Sequence, residues 1–135
     1  MEWKYIEPLK KSNAVESFLN NHGVVLSKEI VAFIVKHNAG RPSVNRFDTD
    51  KSKECVFDGV FSYNEEDSEN IYGIYEGELK ESLKKDNLYP VGMEPGGDLI
   101  CVDLKDKAKI KLFRMESGEI EFVAENLGEM LDQLY

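Results

Sequence analysis

Two histidines, His22 and His37, and two cysteines, Cys55 and Cys101, are the whole supply of imidazole and thiol chemistry in this 135-residue chain. Neither histidine stands in an H-E-x-x-H frame or with a C-x-x-C pair, the spacings that hold a catalytic zinc. Each falls at the end of an expected helix, where a partly charged imidazole suits the negative end of the helix dipole. Without a C-x-x-C, neither a zinc ribbon nor a thioredoxin-type redox pair is indicated. Both cysteines lie in apolar, strand-like runs, where a free thiol behaves as a small hydrophobe. Asp48-x-Asp50-x-Ser52 resembles the opening of a calcium loop. Lys53, however, stands where that loop needs glycine, and Gly59 where it needs the bidentate glutamate. Gly92-x-x-x-Gly96-Gly97 matches no nucleotide motif, and it leads into a strand, whereas a phosphate-cradling loop must open a helix. No serine sits in G-x-S-x-G. A hydrolase built from scattered carboxylates is the one enzymatic alternative, yet no pair of them stands out in apolar surroundings. The sequence therefore predicts no catalytic residue, no metal and no cofactor.

What remains is charge. Lys and Arg total 17 against 26 Asp and Glu, a formal net charge of −9. That balance argues against a nucleic-acid partner, which needs a basic face, and against anionic membranes. It favours plain solubility or a basic protein partner. The densest charge is Glu65-Glu66-Asp67-Ser68-Glu69. One reading is a solvated loop that also places negative charge at a helix start. The other is a landing patch for a basic protein domain, where complementary charge speeds encounter. Tyr63, Tyr72 and Tyr75 flank the run, and tyrosine is a favoured interface anchor. Tyr72 lies off the apolar stripe of its helix, so it is expected to be the exposed one. Glu65, Glu66, Asp67, Glu69 and Tyr72 are thus the candidate partner-binding residues.

These residues must be positioned by a core, and the length suits one domain over residues 1–135. Asn13 with Glu16 has capping-box spacing before the stripe Val15, Phe18, Leu19, and Gly23 ends that helix. Ser27 is expected to cap a second helix with Ile30, Val31, Phe33 and Ile34 inward, closing near Asn38-Ala39-Gly40 before Pro42. A short strand is expected at 45–47. Another spans 54–61, with Cys55, Phe57 and Phe61 on one side. Ser68 is expected to cap a third helix running through Ile71, Ile74, Tyr75, Leu79 and Leu83, weakened by Gly73 and Gly77. The strand 98–104 is apolar enough to be covered on both faces. Hairpin partners follow at 109–115 and 119–124, the latter with Ile120 and Phe122 inward. Asn126 then caps a last helix bearing Leu127, Met130, Leu131 and Leu134. The class is α+β: a mostly antiparallel meander flanked by N-terminal and C-terminal helices. The opening MEWKYIEPLKK has no apolar core of a secretory signal, and no run approaches membrane-spanning length, so the default location is the cytoplasm.

Three segments resemble the SUKH superfamily, in the family's own order. The first is the helix from Leu26 to Gly40. Its end corresponds to an Asn-Gly-Gly element in which Ala39 replaces the first glycine, and Ser27 stands where proline is common. The second is the corner LYPVGMEPGGDLICVD, with Pro90, Gly92, Pro95, Gly96, Gly97 and Asp98 as its signature. On the residues themselves, Gly96 and Gly97 permit positive φ in a tight turn and Pro95 presets it. Asp98 is expected to accept hydrogen bonds from that turn's own backbone. The third is the closing pair of strands and the terminal helix. The pattern is clearest over residues 26–135. The resemblance implies a non-enzymatic protein-binding module: an immunity protein that neutralises a cognate bacterial toxin, such as a nuclease, by binding it. Its alternative is a regulatory or scaffolding adaptor of the fungal cell-wall-regulator type with no toxin partner. One scaffold serves many partners, so fold alone does not choose between them. Neither the oligomeric state nor the partner's identity is legible.

Overall fold

The computed structural model describes residues 1–135. Strand β1 (Trp3–Lys4) precedes helices α1 (Ala14–His22) and α2 (Lys28–Lys36). Four two-residue strands follow: β2 (Arg41–Pro42), β3 (Arg46–Phe47), β4 (Cys55–Val56) and β5 (Gly59–Val60). Helices α3 (Ile71–Tyr75) and α4 (Lys80–Lys85) lead into the longer strands β6 (Leu88–Met93), β7 (Leu99–Asp103), β8 (Ile110–Phe113) and β9 (Ile120–Ala124), and α5 (Leu127–Gln133) closes the chain. β5 to β9 form one antiparallel sheet in sequence order, while β1 pairs with β2 and β3 with β4. This is the expected α+β meander between helices.

The apolar stripes meet in one cluster. It takes Val15, Phe18 and Leu19 from α1, Ile30, Phe33 and Ile34 from α2, and Ile71, Leu83 and Met130 from α3, α4 and α5. β6 and β7 are buried along their whole length, which explains the unbroken apolar run at 99–102. Pro90 tolerates this central place because the ladder to β7 bulges between Pro90 and Gly92. Gly92 is required by proximity. A Cβ there would lie 2.8 Å from the Gly59 carbonyl oxygen and 2.9 Å from the Phe57 ring, because β5 crosses close above it.

Local signals place three helix boundaries correctly. Ser27 Oγ accepts from Ile30 N–H, Asn126 Oδ1 accepts from Glu129 N–H, and Gly23 takes the left-handed conformation at φ 64°. Asn13 occupies the N-cap position of α1 without a side-chain bond. The third helix is two helices, and its cap is Asn70, not Ser68: Asn70 Oδ1 accepts from Gly73 N–H at 2.8 Å. The break falls at Gly77, where a Cβ would lie 2.3 Å from the Gly73 carbonyl oxygen. The expected strand 54–61 is likewise divided. The chain changes sheets at Phe57-Asp58, since β4 pairs with β3 while β5 pairs with β6. Cys55, Phe57 and Phe61 are buried as expected. In β9, burial falls on Glu121, Val123 and Ala124, whereas Ile120 and Phe122 are half-buried. Glu121 is drawn inward by an arginine described below.

Both histidines sit at helix ends. His22 Nε2 lies 2.8 Å from Glu76 Oε2. His37 Nδ1 lies 3.0 Å from the Phe33 carbonyl oxygen, and its ring centroid is 4.2 Å from that of Trp3. Burial pushes the His37 imidazole below its ordinary pKa, the opposite direction from the partly charged form expected at a helix end.

The sheet's outer strands are bonded beyond their neighbours. Val60 N–H donates to the Gly40 carbonyl at 2.9 Å. At β9, Asp50 N–H donates to the Phe122 carbonyl at 2.9 Å, and Phe122 N–H donates to Asp50 Oδ1 at 3.0 Å.

Ala39, in the place of a family glycine, has φ 63°. A left-handed backbone costs a residue with a Cβ roughly 1 kcal/mol. Ala39→Gly is therefore expected to leave stability unchanged or raise it by up to about 1 kcal/mol, the gain being limited by glycine's greater unfolded-state freedom. Gly92→Ala is expected to cost about 1–3 kcal/mol through overpacking. Urea unfolding of both variants checks the pair.

Candidate partner-binding surface

The acidic loop hangs from a buried polar network. Asn38 at the end of α2 is fully buried. Its side-chain amide donates to the Glu7 carbonyl at 2.9 Å and to Ser62 Oγ at 3.1 Å, and its Oδ1 accepts from Tyr63 N–H at 2.8 Å. Ser62 in turn donates to Asp67 Oδ2 at 2.6 Å, and Asn64 Nδ2 donates to the same oxygen at 3.3 Å. Asn64 also fixes the N-terminal segment, donating to the Pro8 carbonyl and accepting from Lys10 N–H. The loop returns through a parallel bridge between Ser62 and Asn70.

This frame sorts the five predicted residues. Asp67 is turned inward and used by Ser62 and Asn64. Glu66 is ion-paired with Lys10, whose ammonium holds the carboxyl below its ordinary pKa. Glu65 and Glu69 are exposed. Tyr72 is half-buried: its hydroxyl donates to the Tyr63 carbonyl at 3.1 Å and its ring stands edge-on to Phe18. It is nevertheless more accessible than Tyr63 and Tyr75, both 3% exposed, as its place off the stripe predicts. Tyr63 and Tyr89 share a hydroxyl–hydroxyl hydrogen bond in the core, where burial raises both phenols far above their ordinary range.

Three clefts adjoin the loop. The largest, about 480 Å³, lies between Asp67-Ser68-Glu69 and the N-terminal residues Tyr5 and Glu7, with Val60 and Met93 in its lining. A smaller one, about 160 Å³, is lined by Lys10, Lys11, Glu65, Glu66, Tyr63 and Tyr72. The third, about 350 Å³, runs from Glu65 and Tyr72 along α1 to His22. Tyr5, Glu7 and the lysines of the N-terminal segment were not legible as neighbours of the loop. They arrive through Asn38 and Asn64, and no local pattern encodes those contacts.

The glycine corner forms a separate centre. Gly96 and Gly97 have φ 94° and 104°, as a tight turn there requires. Asp98 does not serve its own turn. Its Oδ1 accepts from Met115 N–H and its Oδ2 from Arg114, both at 2.9 Å, so it ties the corner to the end of β8. Arg114 also donates to Glu121 through Nε and Nη2, to Glu94 Oε1 at 3.2 Å and to Ser52 Oγ at 2.9 Å. Thr49 Oγ1 donates to Glu121 Oε1 at 2.6 Å, and Val56 N–H donates to Glu94 Oε2 at 2.9 Å. One guanidinium thus gathers three carboxylates and joins the corner, the β8–β9 hairpin and the 49–56 loop.

The fold is α+β, with an acidic loop flanked by clefts. A family model matches residues 11–133, and the chain belongs to the SMI1/KNR4 family (SUKH-1), whose members are immunity and regulatory proteins. The match begins well before Leu26, so it includes α1. No curated protein matches the chain. No helix is long and apolar enough to cross a membrane.

The Arg114 cluster makes a pH prediction. Arg114 lowers the Glu121 carboxyl from 4.5 to about 2. A carboxylate lowered by folding adds stability that is complete above its unfolded pKa and is lost as pH falls through the folded value. The Glu121 contribution, on the order of 3 kcal/mol at neutral pH, therefore disappears between pH 4.5 and 2. Burial raises Glu94, whose effect has the opposite sign: its contribution is lost as pH rises. Glu121→Gln is expected to destabilise at neutral pH and to flatten the acid limb, while Glu94→Gln costs less at neutral pH. Urea midpoints measured across pH for the two variants check this; an unchanged acid limb in Glu121→Gln contradicts it.

Proposed function

We propose that this chain is a non-enzymatic protein-binding module acting in the cytoplasm as an immunity protein. It binds a basic toxin domain, such as a nuclease, and covers the active site or an adjacent surface. Family membership supports the reading, and the single structural observation that carries it is the exposed acidic loop with clefts on its flanks. Glu65 and Glu69 present charge to solvent, and Tyr72 supplies a half-buried aromatic beside them. A toxin that grips nucleic acid is basic where it does so, and an acidic loop competes for that surface by mimicking phosphate charge. Complementary fields raise the association rate and reject partners of like charge.

The regulatory adaptor is the second reading, because the same family membership includes regulators. The genes beside this one separate the two: a large multidomain toxin gene favours immunity, and its lack favours the adaptor.

Co-expression with the neighbouring toxin is the direct test. The chain is expected to restore growth and to co-purify with the toxin domain; if it does neither, the immunity reading fails. In the purified complex, the pair Glu65→Lys and Glu69→Lys is expected to slow k_on about ten-fold at low salt with less effect on k_off. Raising ionic strength is expected to narrow that difference. A k_on indifferent to salt removes the steering role of the loop.

A further inference from the structure

The cleft between Tyr5 and the loop has a construction that the loop's charge alone does not explain. Tyr5 is 72% exposed and has φ 62°. A left-handed backbone under a large aromatic costs roughly 1–2 kcal/mol, and an aromatic left in water gains nothing from the core to offset it. The chain is held in this state from both sides. Lys4 pairs with Arg41, while the Glu7 backbone exchanges 2.9 Å hydrogen bonds with the Asn38 main chain and side chain. The backbone is thereby held where Tyr5 lines the cleft instead of folding onto the core.

The remaining lining is divided by chemistry. Val60 and Met93 give an apolar floor, since they are nearly buried by the sheet. Arg41, the one cation on the wall, is engaged with Asp58 at 3.1 Å. Asp67 is used by Ser62 and Asn64. Glu7 and Glu69 are exposed and belong to none of the ion pairs of the protein. An aromatic face, an apolar floor and two free carboxylates complement a long cationic side chain. Its methylene stem lies on the floor, its head meets the carboxylates, and the ring adds a cation–π contact.

Resting on the reading of the chain as a protein binder, we infer that this cleft is the seat for one arginine or lysine side chain on a loop of the basic protein partner. The volume, about 480 Å³, exceeds one side chain and so admits the residues on either side of it. That favours a polypeptide loop over a free amine.

The probe is a short capped peptide with a central arginine between leucines, titrated into the isotope-labelled protein and followed by amide chemical shifts. Saturable shifts are expected at Gly59, Ser68 and Glu69, and the peptide with citrulline in place of arginine is expected to bind much more weakly. Tyr5→Ala, and separately the pair Glu7→Gln with Glu69→Gln, are each expected to weaken binding about three-fold or more, a change typical of one or two exposed charge or cation–π contacts. Glu81→Gln on α4, which removes one charge elsewhere, is expected to leave it unchanged. Equal binding of the citrulline peptide, equal loss in Glu81→Gln, or putrescine binding as tightly as the peptide overturns the inference. This reading and the immunity reading fail separately. An affinity for the toxin domain that is unchanged by Tyr5→Ala with Glu7→Gln, while growth protection persists, overturns the cleft and leaves immunity standing. Absence of protection by the unaltered chain overturns immunity, and the titration still judges the cleft.

Discussion

A buried carboxamide, Asn38, sets the geometry on which the acidic loop and its flanking clefts depend. It joins three segments that are remote in sequence: the N-terminal strap through Glu7, the end of α2, and the loop after β5 through Ser62 and Tyr63. Its fully buried side chain spends both amide protons and its oxygen on these partners. Removing any one of them strands a polar atom away from water, at about 1–3 kcal/mol. Because Ser62 passes the connection on to Asp67, the acidic loop is rooted at its base while Glu65 and Glu69 stay free at its surface. The clefts beside the loop exist because the strap cannot drift away from it.

Arg114 performs the corresponding task at the glycine corner. Its guanidinium offers donors in a fixed plane, and Glu94, Asp98, Glu121 and Ser52 occupy them. The two centres meet in consecutive residues of one segment: Met93 lines the cleft beside Tyr5, and Glu94 enters the Arg114 cluster. The family signature at the corner therefore fixes the end of β6 that forms part of the cleft floor. Positional accuracy at the proposed binding face comes from polar networks in the half-buried layer, with the apolar core supplying most of the stability.

What could be read in advance was local. Ser27, Gly23 and Asn126 act within a few residues of themselves, so their types and spacings sufficed. Gly96 and Gly97 were legible for the same reason, as backbone that must turn. Ser68 lost the cap of α3 to Asn70, two residues on, because Asn70 also binds the Asp67 carbonyl through its amide. Its type and place assign Asp98 to its own turn, yet its partners lie just past the end of β8. Alternation in β9 predicts Glu121 to point outward between Ile120 and Phe122. A charge of opposite sign just past the end of the neighbouring strand β8 reverses that pattern, and no periodicity reports such a partner. The loop residues Glu65, Glu66, Asp67 and Glu69 were visible as a run, but only the fold separates the inward Asp67 and the paired Glu66 from the two that face water. The contribution of Tyr5 and Glu7 was invisible, since it depends on bonds spanning more than thirty residues.

The contacts that Gly40 and Asp50 make with β5 and β9 occupy main-chain groups along the sheet's outer margins. Open margins of this kind invite another chain to extend the sheet, in recognition or in aggregation. Covering them directs recognition onto side chains standing on turns and straps. Such residues can be replaced without disturbing the hydrogen-bond ladder, so the exposed face can diversify by surface substitution while the scaffold beneath it stays constant.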